Sequence, residues 1–484
     1  MTTVLKQMRT SDPHLAEQVE SDFSSVLADF ICGLNPESLP EDVRRAARAN
    51  ILDTLVCAVA GSSAQGVEEV RDLVTGWGGA PQASVLVFGN RIPAHQAAWI
   101  NGMMAHARDY DDTHDAAVLH AGVSVVPAAL AAAQLRGQIS GAELIAGVAA
   151  GLETISRLGM ATKVGIIESG FMYTSLFGHF AATAAAATIL RLDRSQIINA
   201  LGIGYSQVAG NHQVTRDAAL TKRMQPGFAA MAALVSVQLA QKGIRGAQAT
   251  FEGIDGFFRV YLHDQYDPAV LRDGLGARYA FTRLSYKPYP CCRFNHCGIE
   301  AALELREELG ECIKEIVRIR VGLNRQAYQA VCTPIEVRRS PQTVVQAQFS
   351  IPYTVAAALV DGQVGLGHFA ADLHQRKDII ALAQKVEPYV DEEIERSHGR
   401  NVSPVVIDVE LANGRTSRQR VDIPLGHPDR PMSEAIAAAK ARDCFKAAAC
   451  PLADNAPDAL SRLINDLDAV DDIEKVLSVV TQTT

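Results

Sequence analysis

Apolar positions recur at spacings of three and four through most of the first 280 residues, and they predict one helix after another. Phe23, Val26, Leu27, Phe30 and Ile31 form the first such stripe. Pro40, Glu41 and Asp42 have the chemistry of a helix start, and Ala46, Ile51, Leu55 and Val56 carry that helix to Gly61. Val85 to Phe88 reads as a short β-like run, and Ala94 to Arg108 as helix. Ser140 and Glu143 make a capping-box pattern opening a helix over Leu144 to Leu158. Further helices are expected at Phe180 to Leu190, after Asp193-Arg194-Ser195-Gln196, and from Gly227 to Lys242, closed by Gly243.

The texture changes near residue 284. Glu315 to Leu323 and Val405 to Leu411 alternate like strands, and Asn413-Gly414 joins the latter to Ser417 to Ile423 as a hairpin. Helices are expected between them at 297–309, 353–360 and 376–386, and after the Pro-rich break at 424–431 at 433–448, 456–466 and 471–480. The fold class expected is mainly α. A large all-helical domain spans 20–280, with 430–484 returning to it, and a smaller α+β lid domain spans 281–429. Residues 1 to about 20 are polar and expected to be loose.

Composition narrows the function. Of 484 residues, 48% are hydrophobic and 20% charged, as in a globular chain, and only 6% are aromatic. Ala runs such as Ala184 to Ala187 favour close helix packing. A net charge of −9 speaks against a nucleic-acid partner and against a polybasic membrane anchor. The first residues lack an apolar signal core, and nine cysteines do not form an even framework, so a cytoplasmic protein is expected. The uncharged stretches 116–135 and 169–190 contain Gly and His and are rich in Ala, which reads as buried helix rather than membrane span.

Candidate chemistry is densest between His106 and His120, where Asp109, Asp111, Asp112, Asp115 and His114 also fall. Such a set is costly to bury unless paired or functional. A calcium loop is a poor fit, because His114 and His120 stand where it needs Gly and Glu. Asp111-Asp112-x-x-Asp115 matches a magnesium-diphosphate motif, but the candidate partner near Asn465 has Ala469 in place of a hydroxyl, and a carbocation pocket needs more aromatic faces. Acid–base work by an imidazole oriented by Asp is the third reading.

Two further clusters carry cations. Lys287-Pro-Tyr-Pro-Cys-Cys-Arg293 with His296 would form an anion clamp at the domain junction, and its cysteines lack iron–sulfur spacing. Lys222-Arg223 precede Pro226-Gly227, a helix start whose free amides would also attract anions.

Together these segments resemble the MmgE/PrpD family of 2-methylcitrate dehydratases, cis-aconitate decarboxylases and iminodisuccinate epimerases. The resemblance covers roughly residues 23–475. It is carried by Asn101-Gly-x3-His106-x2-Asp109-Tyr-Asp-Asp-Thr113 with His120, by Thr221-Lys222-Arg223, and by Lys287-Pro-Tyr-Pro-Cys-Cys, with weaker support from Phe349 to Tyr353. It implies a homodimer with the active site between a helical domain and a lid. It also implies no metal or organic cofactor, and a small di- or tricarboxylate substrate. His120, Asp109, Lys222 and Lys287 are the implied catalytic residues. Thr113, His296, Arg293 and, more loosely, Tyr328 are the implied substrate contacts. The expected activity is a lyase with proton transfer α to a carboxylate, by dehydration or decarboxylation. The alternatives are an epimerase on the same scaffold or an inactive binding protein. Two family histidines are replaced here, by Met172 and Gln225, and His114 and His179 are candidates to compensate.

Overall fold

A computed structural model of the chain describes residues 19–370, 376–399, 401–402 and 404–482; the polar stretch 1–18 lies outside them. Local chemistry sets many helix boundaries. Ser140 Oγ accepts from Glu143 N–H at 3.3 Å while Glu143 Oε2 accepts from Ser140 N–H at 3.1 Å, and the helix Gly141–Ala161 follows. Asp193 and Gln196 make the same reciprocal pair ahead of Arg194–Tyr205. Phe23–Gly33, Glu41–Gly61 and Ala94–His106 occupy the segments their periodicity predicts.

Small residues bring these helices together. Gly151 has Ala181 O and Val125 Cγ1 within 2.8 Å of where a Cβ would stand, so Gly141–Ala161 lies directly against Gly122–Arg136 and Tyr173–Ile189. Gly141–Ala161 is long and apolar enough to cross a membrane, yet 94% of its most apolar stretch is buried inside the protein. The apolar cluster built by these helices also takes in Ala441, Cys444, Leu460 and Leu477 from the C-terminal helices. Arg48 and Asp468 tie the two ends of the chain.

A second apolar cluster forms around a four-stranded mixed sheet and the helices His296–Leu309 and Ile351–Asp361. Its strands are β1 (Ile316–Leu323), β2 (Val386–Val390), β3 (Val405–Leu411) and β4 (Thr416–Val421), in the order β2-β1-β3-β4. β1 and β2 are parallel, with Ile319 opposite Val386. β1 and β3 are antiparallel, as are β3 and β4, which form the Asn413-Gly414 hairpin. The molecule is thus mainly α with a smaller α+β part.

Four expectations change. Val85–Phe88 is a tight reversal with Val87 at φ 69°, and the short ladder pairs Ala83–Ser84 with Arg91–Ile92 instead. The helix expected at 376–386 is confined to Lys377–Ala383, and Val386–Val390 is the edge strand, a position that tolerates Pro388. The helix expected from Gly227 begins at Thr221, with Pro226 inside it. The last predicted helix is only Glu474–Leu477.

Candidate active site

The polar segment between Ala94–His106 and Gly122–Arg136 is buried, and its four aspartates have four different sets of partners. Asp109 takes a left-handed conformation, φ 52°, which a short polar side chain tolerates. Its Oδ1 accepts from Lys222 Nζ at 2.5 Å and its Oδ2 from Lys287 Nζ at 3.2 Å. Lys287 also donates to the Asp109 carbonyl at 2.9 Å. Lys222 reaches this point from the first turn of Thr221–Gln241, so the amides of Pro226-Gly227 form no anion site. Its ammonium also lies 4.9 Å from the Phe349 ring centroid. Lys287 comes from the extended segment that crosses toward the sheet, and that segment is stitched on by paired Thr113–Ser285 backbone bonds of 2.8 and 2.7 Å.

Asp111 hydrogen-bonds the His106 imidazole and lies beside that of His120, whose Nδ1 is close but not aligned for a hydrogen bond. His106 Nδ1 and His120 Nδ1 each lie 2.8 Å from its Oδ2, and the rings meet edge-on with centroids 4.7 Å apart. Asp111 Oδ1 and His106 Nε2 are buried without a partner. His120 is the more accessible imidazole, with 14% of its side chain exposed against 1% for His106. The His120 backbone is fixed by Thr174 Oγ1, which accepts its N–H at 3.0 Å.

Asp112 caps Gly122–Arg136 from a distance, accepting from Ala121 and Gly122 N–H at 2.9 Å each. Gly122 is required for that approach, since a Cβ there would stand 2.7 Å from Asp112 Oδ1 and 2.4 Å from Thr54 Oγ1. Asp115 ties the two parts of the chain together. It accepts from Thr113 Oγ1 and Ser285 Oγ at 2.8 Å and from Arg293 at 3.2–3.3 Å.

Several expected substrate contacts therefore have structural partners. Arg293 is committed to Asp115 and to the Leu425 carbonyl, and Thr113 to Asp115, so neither is the free anion donor the sequence suggests. His296 is fully buried, its Nδ1 3.2 Å from Arg293 Nη1 and its Nε2 3.3 Å from the Cys291 carbonyl. Burial and the Arg293 charge push its pKa well below the usual range, so it is a neutral bracket for Arg293. Tyr328 packs half-buried against the sheet-side cluster and makes no hydrogen bond to Asp109 or its lysines among the described residues. Of the two compensating candidates, His179 Nδ1 faces the Ser175 carbonyl at 2.8 Å within its own helix. His114 is buried, and its Nδ1 accepts from Ala117 N–H at 3.3 Å. His106 and Asp111 belong to the Asn-Gly-x3-His motif, but sequence reasoning gave them no role. Their five-residue separation brings them together only because the helix ends at His106.

Charge within the cluster is divided cleanly. Burial would raise the Asp109 carboxyl, but the Lys222 and Lys287 ammoniums outweigh it and hold the group well below the usual carboxylate range. Lys287 is raised despite its burial, because Asp109 and Asp111 favour its charged form. Burial lowers His106 to about 4, although Asp111 opposes the shift. Burial and the neighbouring Asp111 raise Asp112 to about 6. His106, Asp109 and His120 bring ligand atoms within 4.8 Å of one another, a spacing that could hold a metal ion. A divalent cation there would share its carboxylate with two ammoniums, so the donor set does not favour one.

Matches to known families agree with this geometry. The MmgE/PrpD N-terminal domain model matches residues 25–269 and the C-terminal domain model residues 289–450. The chain belongs to the MmgE/PrpD family. Asp109, His120 and Lys222 fall within the first range and Arg293 and His296 within the second, while Lys287 lies just before it. A cis-aconitate decarboxylase-like protein of Aspergillus oryzae is 27% identical over 433 residues, covering 86% of this chain and 89% of its own. The cis-aconitate decarboxylase of Aspergillus terreus is 27% identical over 425 residues, covering 84% and 86%. The human cis-aconitate decarboxylase is also 27% identical over 425 residues, covering 84% of each chain.

Proposed function

We propose that this MmgE/PrpD chain is a lyase of a small di- or tricarboxylic acid, and that it works by proton transfer at a carbon α to a carboxylate, with decarboxylation as the favoured outcome. The observation that carries this reading is Asp109, buried between two ammoniums beside a pair of imidazoles on Asp111. Asp109 holds Lys222 and Lys287 together and favours the charged form of Lys287 in a buried site. A substrate carboxylate that binds these lysines has its charge stabilised where charge develops. In decarboxylation the C–C bond to one carboxylate breaks, carbon dioxide leaves, and the electron pair passes into the adjoining carboxylate system held by the lysines. His120, the more accessible imidazole, then delivers a proton to carbon and takes one up again from solvent, while Asp111 lies 2.8 Å from its Nδ1. The similarity to cis-aconitate decarboxylases favours carbon dioxide as the leaving group.

The test is incubation of the enzyme with cis-aconitate and a panel of di- and tricarboxylates in deuterium oxide, followed by NMR and carbon dioxide release. Loss of carbon dioxide with one deuterium on the product carbon supports the proposal. Water loss or a return of the proton to the opposite face identifies dehydration or epimerisation instead. Binding without any exchange contradicts an enzymatic role.

A further inference from the structure

His212 stands in the loop between Arg194–Tyr205 and Thr221–Gln241, just before the short turn Gln213–Arg216. Its backbone is fixed on both sides. The N–H donates to the Gly170 carbonyl at 2.8 Å and the carbonyl accepts from Thr215 N–H at 3.0 Å. Gln225 clamps the preceding residue: Asn211 N–H donates to Gln225 Oε1 at 2.8 Å, and Gln225 Nε2 donates to the Asn211 carbonyl at 3.1 Å. Thr215 Oγ1 lies 3.9 Å from Met172 Sδ. The loop closes through Gly210 at φ 144°, where a Cβ would be 2.9 Å from Ser175 Cβ and 3.2 Å from Gln225 Oε1. Gln225 and Met172 thus hold one loop in place, and that loop presents an imidazole.

The ring contrasts with its well-anchored backbone. His212 Nδ1 is buried and has no hydrogen-bond partner. A buried polar atom left unpaired is costly, and a fold tolerates it most readily where a ligand supplies the partner. Geometry places this loop beside the cluster: Gln225, which clamps it, stands one turn beyond Lys222 on the same helix, and Met172, which Thr215 touches, lies two residues before Thr174, the residue that fixes the His120 backbone. Burial, with the charges of Arg216 and Lys222, lowers the His212 pKa to about 4, so the ring is neutral near pH 7.

We propose that His212 is a substrate-binding residue of this site, whose imidazole donates an N–H to a second carboxylate of the substrate, the one not held by Lys222 and Lys287. This rests on the carboxylate-lyase reading above and assigns a residue that selects di- and tricarboxylates over monocarboxylates.

The experiment compares wild type with His212→Gln and His212→Ala, on the carboxylate substrate and on its analogue with the distal carboxylate converted to an amide. Loss of a charge-assisted hydrogen bond should raise KM about 10-fold or more with kcat within about 3-fold. The amide analogue, already weak with wild type, should lose nothing further. An unchanged KM, or an equal loss on acid and amide, overturns the proposal. Melting temperatures identify a variant that fails to fold, and His212→Gln, which keeps a side-chain donor, is the milder of the two. If wild type binds a tricarboxylate but does not turn it over, the lyase reading fails while His212 is still tested by calorimetry, where a 10-fold loss of affinity supports it and none overturns it. If wild type neither binds nor converts any member of the panel, both readings fall.

Discussion

Two buried lysine–carboxylate assemblies lie close together in this protein, and they differ in what they leave unspent. In the first, Lys440 of the C-terminal helix Glu434–Lys446 donates to Asp53 at 2.6 Å and to the Tyr110 carbonyl at 2.8 Å, and lies 4.2 Å from the Tyr110 ring centroid. One cation meets one carboxylate, and its remaining directions are filled by protein. In the second, Asp109 meets two ammoniums, and its neighbours Asp111 Oδ1 and His106 Nε2 are buried without partners. Burial and ion pairing are common to both, so neither marks a site of chemistry. What separates them is the convergence of two cations on one carboxylate, beside two imidazoles. The first assembly fastens the end of the chain to the helical body; the second is where we propose that the substrate carboxylate binds.

Removing one charge from each assembly should separate the two roles. Lys440→Met leaves Asp53 buried and unpaired, and should lower stability by about 3–5 kcal/mol in a denaturant titration, while kcat/KM of the folded fraction stays within about 3-fold. Lys222→Met should do the reverse. Its turnover should fall about 100- to 1,000-fold, the scale of a lost charge stabiliser, while Lys287 still neutralises Asp109 and melting changes little. Equal stability losses in the two variants would erase the distinction.

Acid should probe the buried His106 imidazole. His106 titrates at about 4 in the folded chain against an ordinary 6.5. Between those values the unfolded chain binds more protons, so stability is lost as pH falls from about 6.5 toward 4. His106 alone contributes about 2 kcal/mol of that loss by pH 5. The slope of stability against pH should therefore be shallower in His106→Gln, whereas Lys440→Met should keep the His106 contribution and add that of the Asp53 carboxyl, which loses the cation that opposes its upward shift. The smallest effect concerns metal. Activity should survive a strong chelator, because Lys222 and Lys287 supply the positive charge, and loss of turnover restored by a divalent cation would contradict that assignment.

Much of the scaffold was legible along the chain because its signals are local. The Ser140–Glu143 and Asp193–Gln196 boxes act over three residues, and the Asn413-Gly414 hairpin over two. Val386–Val390 escaped notice because Pro388 weakens a strand pattern whose pairing partner lies over 60 residues away. Thr221–Gln241 was started too late because Pro226 resembles a helix start, and only packing against Ala94–His106 shows that the helix continues through it. In the site, the motif residues Asp109, His120, Lys222 and Lys287 do converge. For Arg293, Thr113 and His296 a sequence shows a charge, a hydroxyl and an imidazole, but not that Asp115 holds the first two and that Arg293 and the Cys291 carbonyl hold the third. His212 belongs to no motif, and its unpaired nitrogen exists only in three dimensions.

The central claim is that the Asp109–Lys222–Lys287 cluster and His120 together move a proton next to a carboxylate. Its most direct test is deuterium incorporation into the carboxylate product by wild type, Lys440→Met and His120→Ala side by side. The account predicts incorporation by wild type and by folded Lys440→Met at similar rates, and a loss of at least about 100-fold in His120→Ala with its fold intact. Near-normal incorporation by His120→Ala would contradict it.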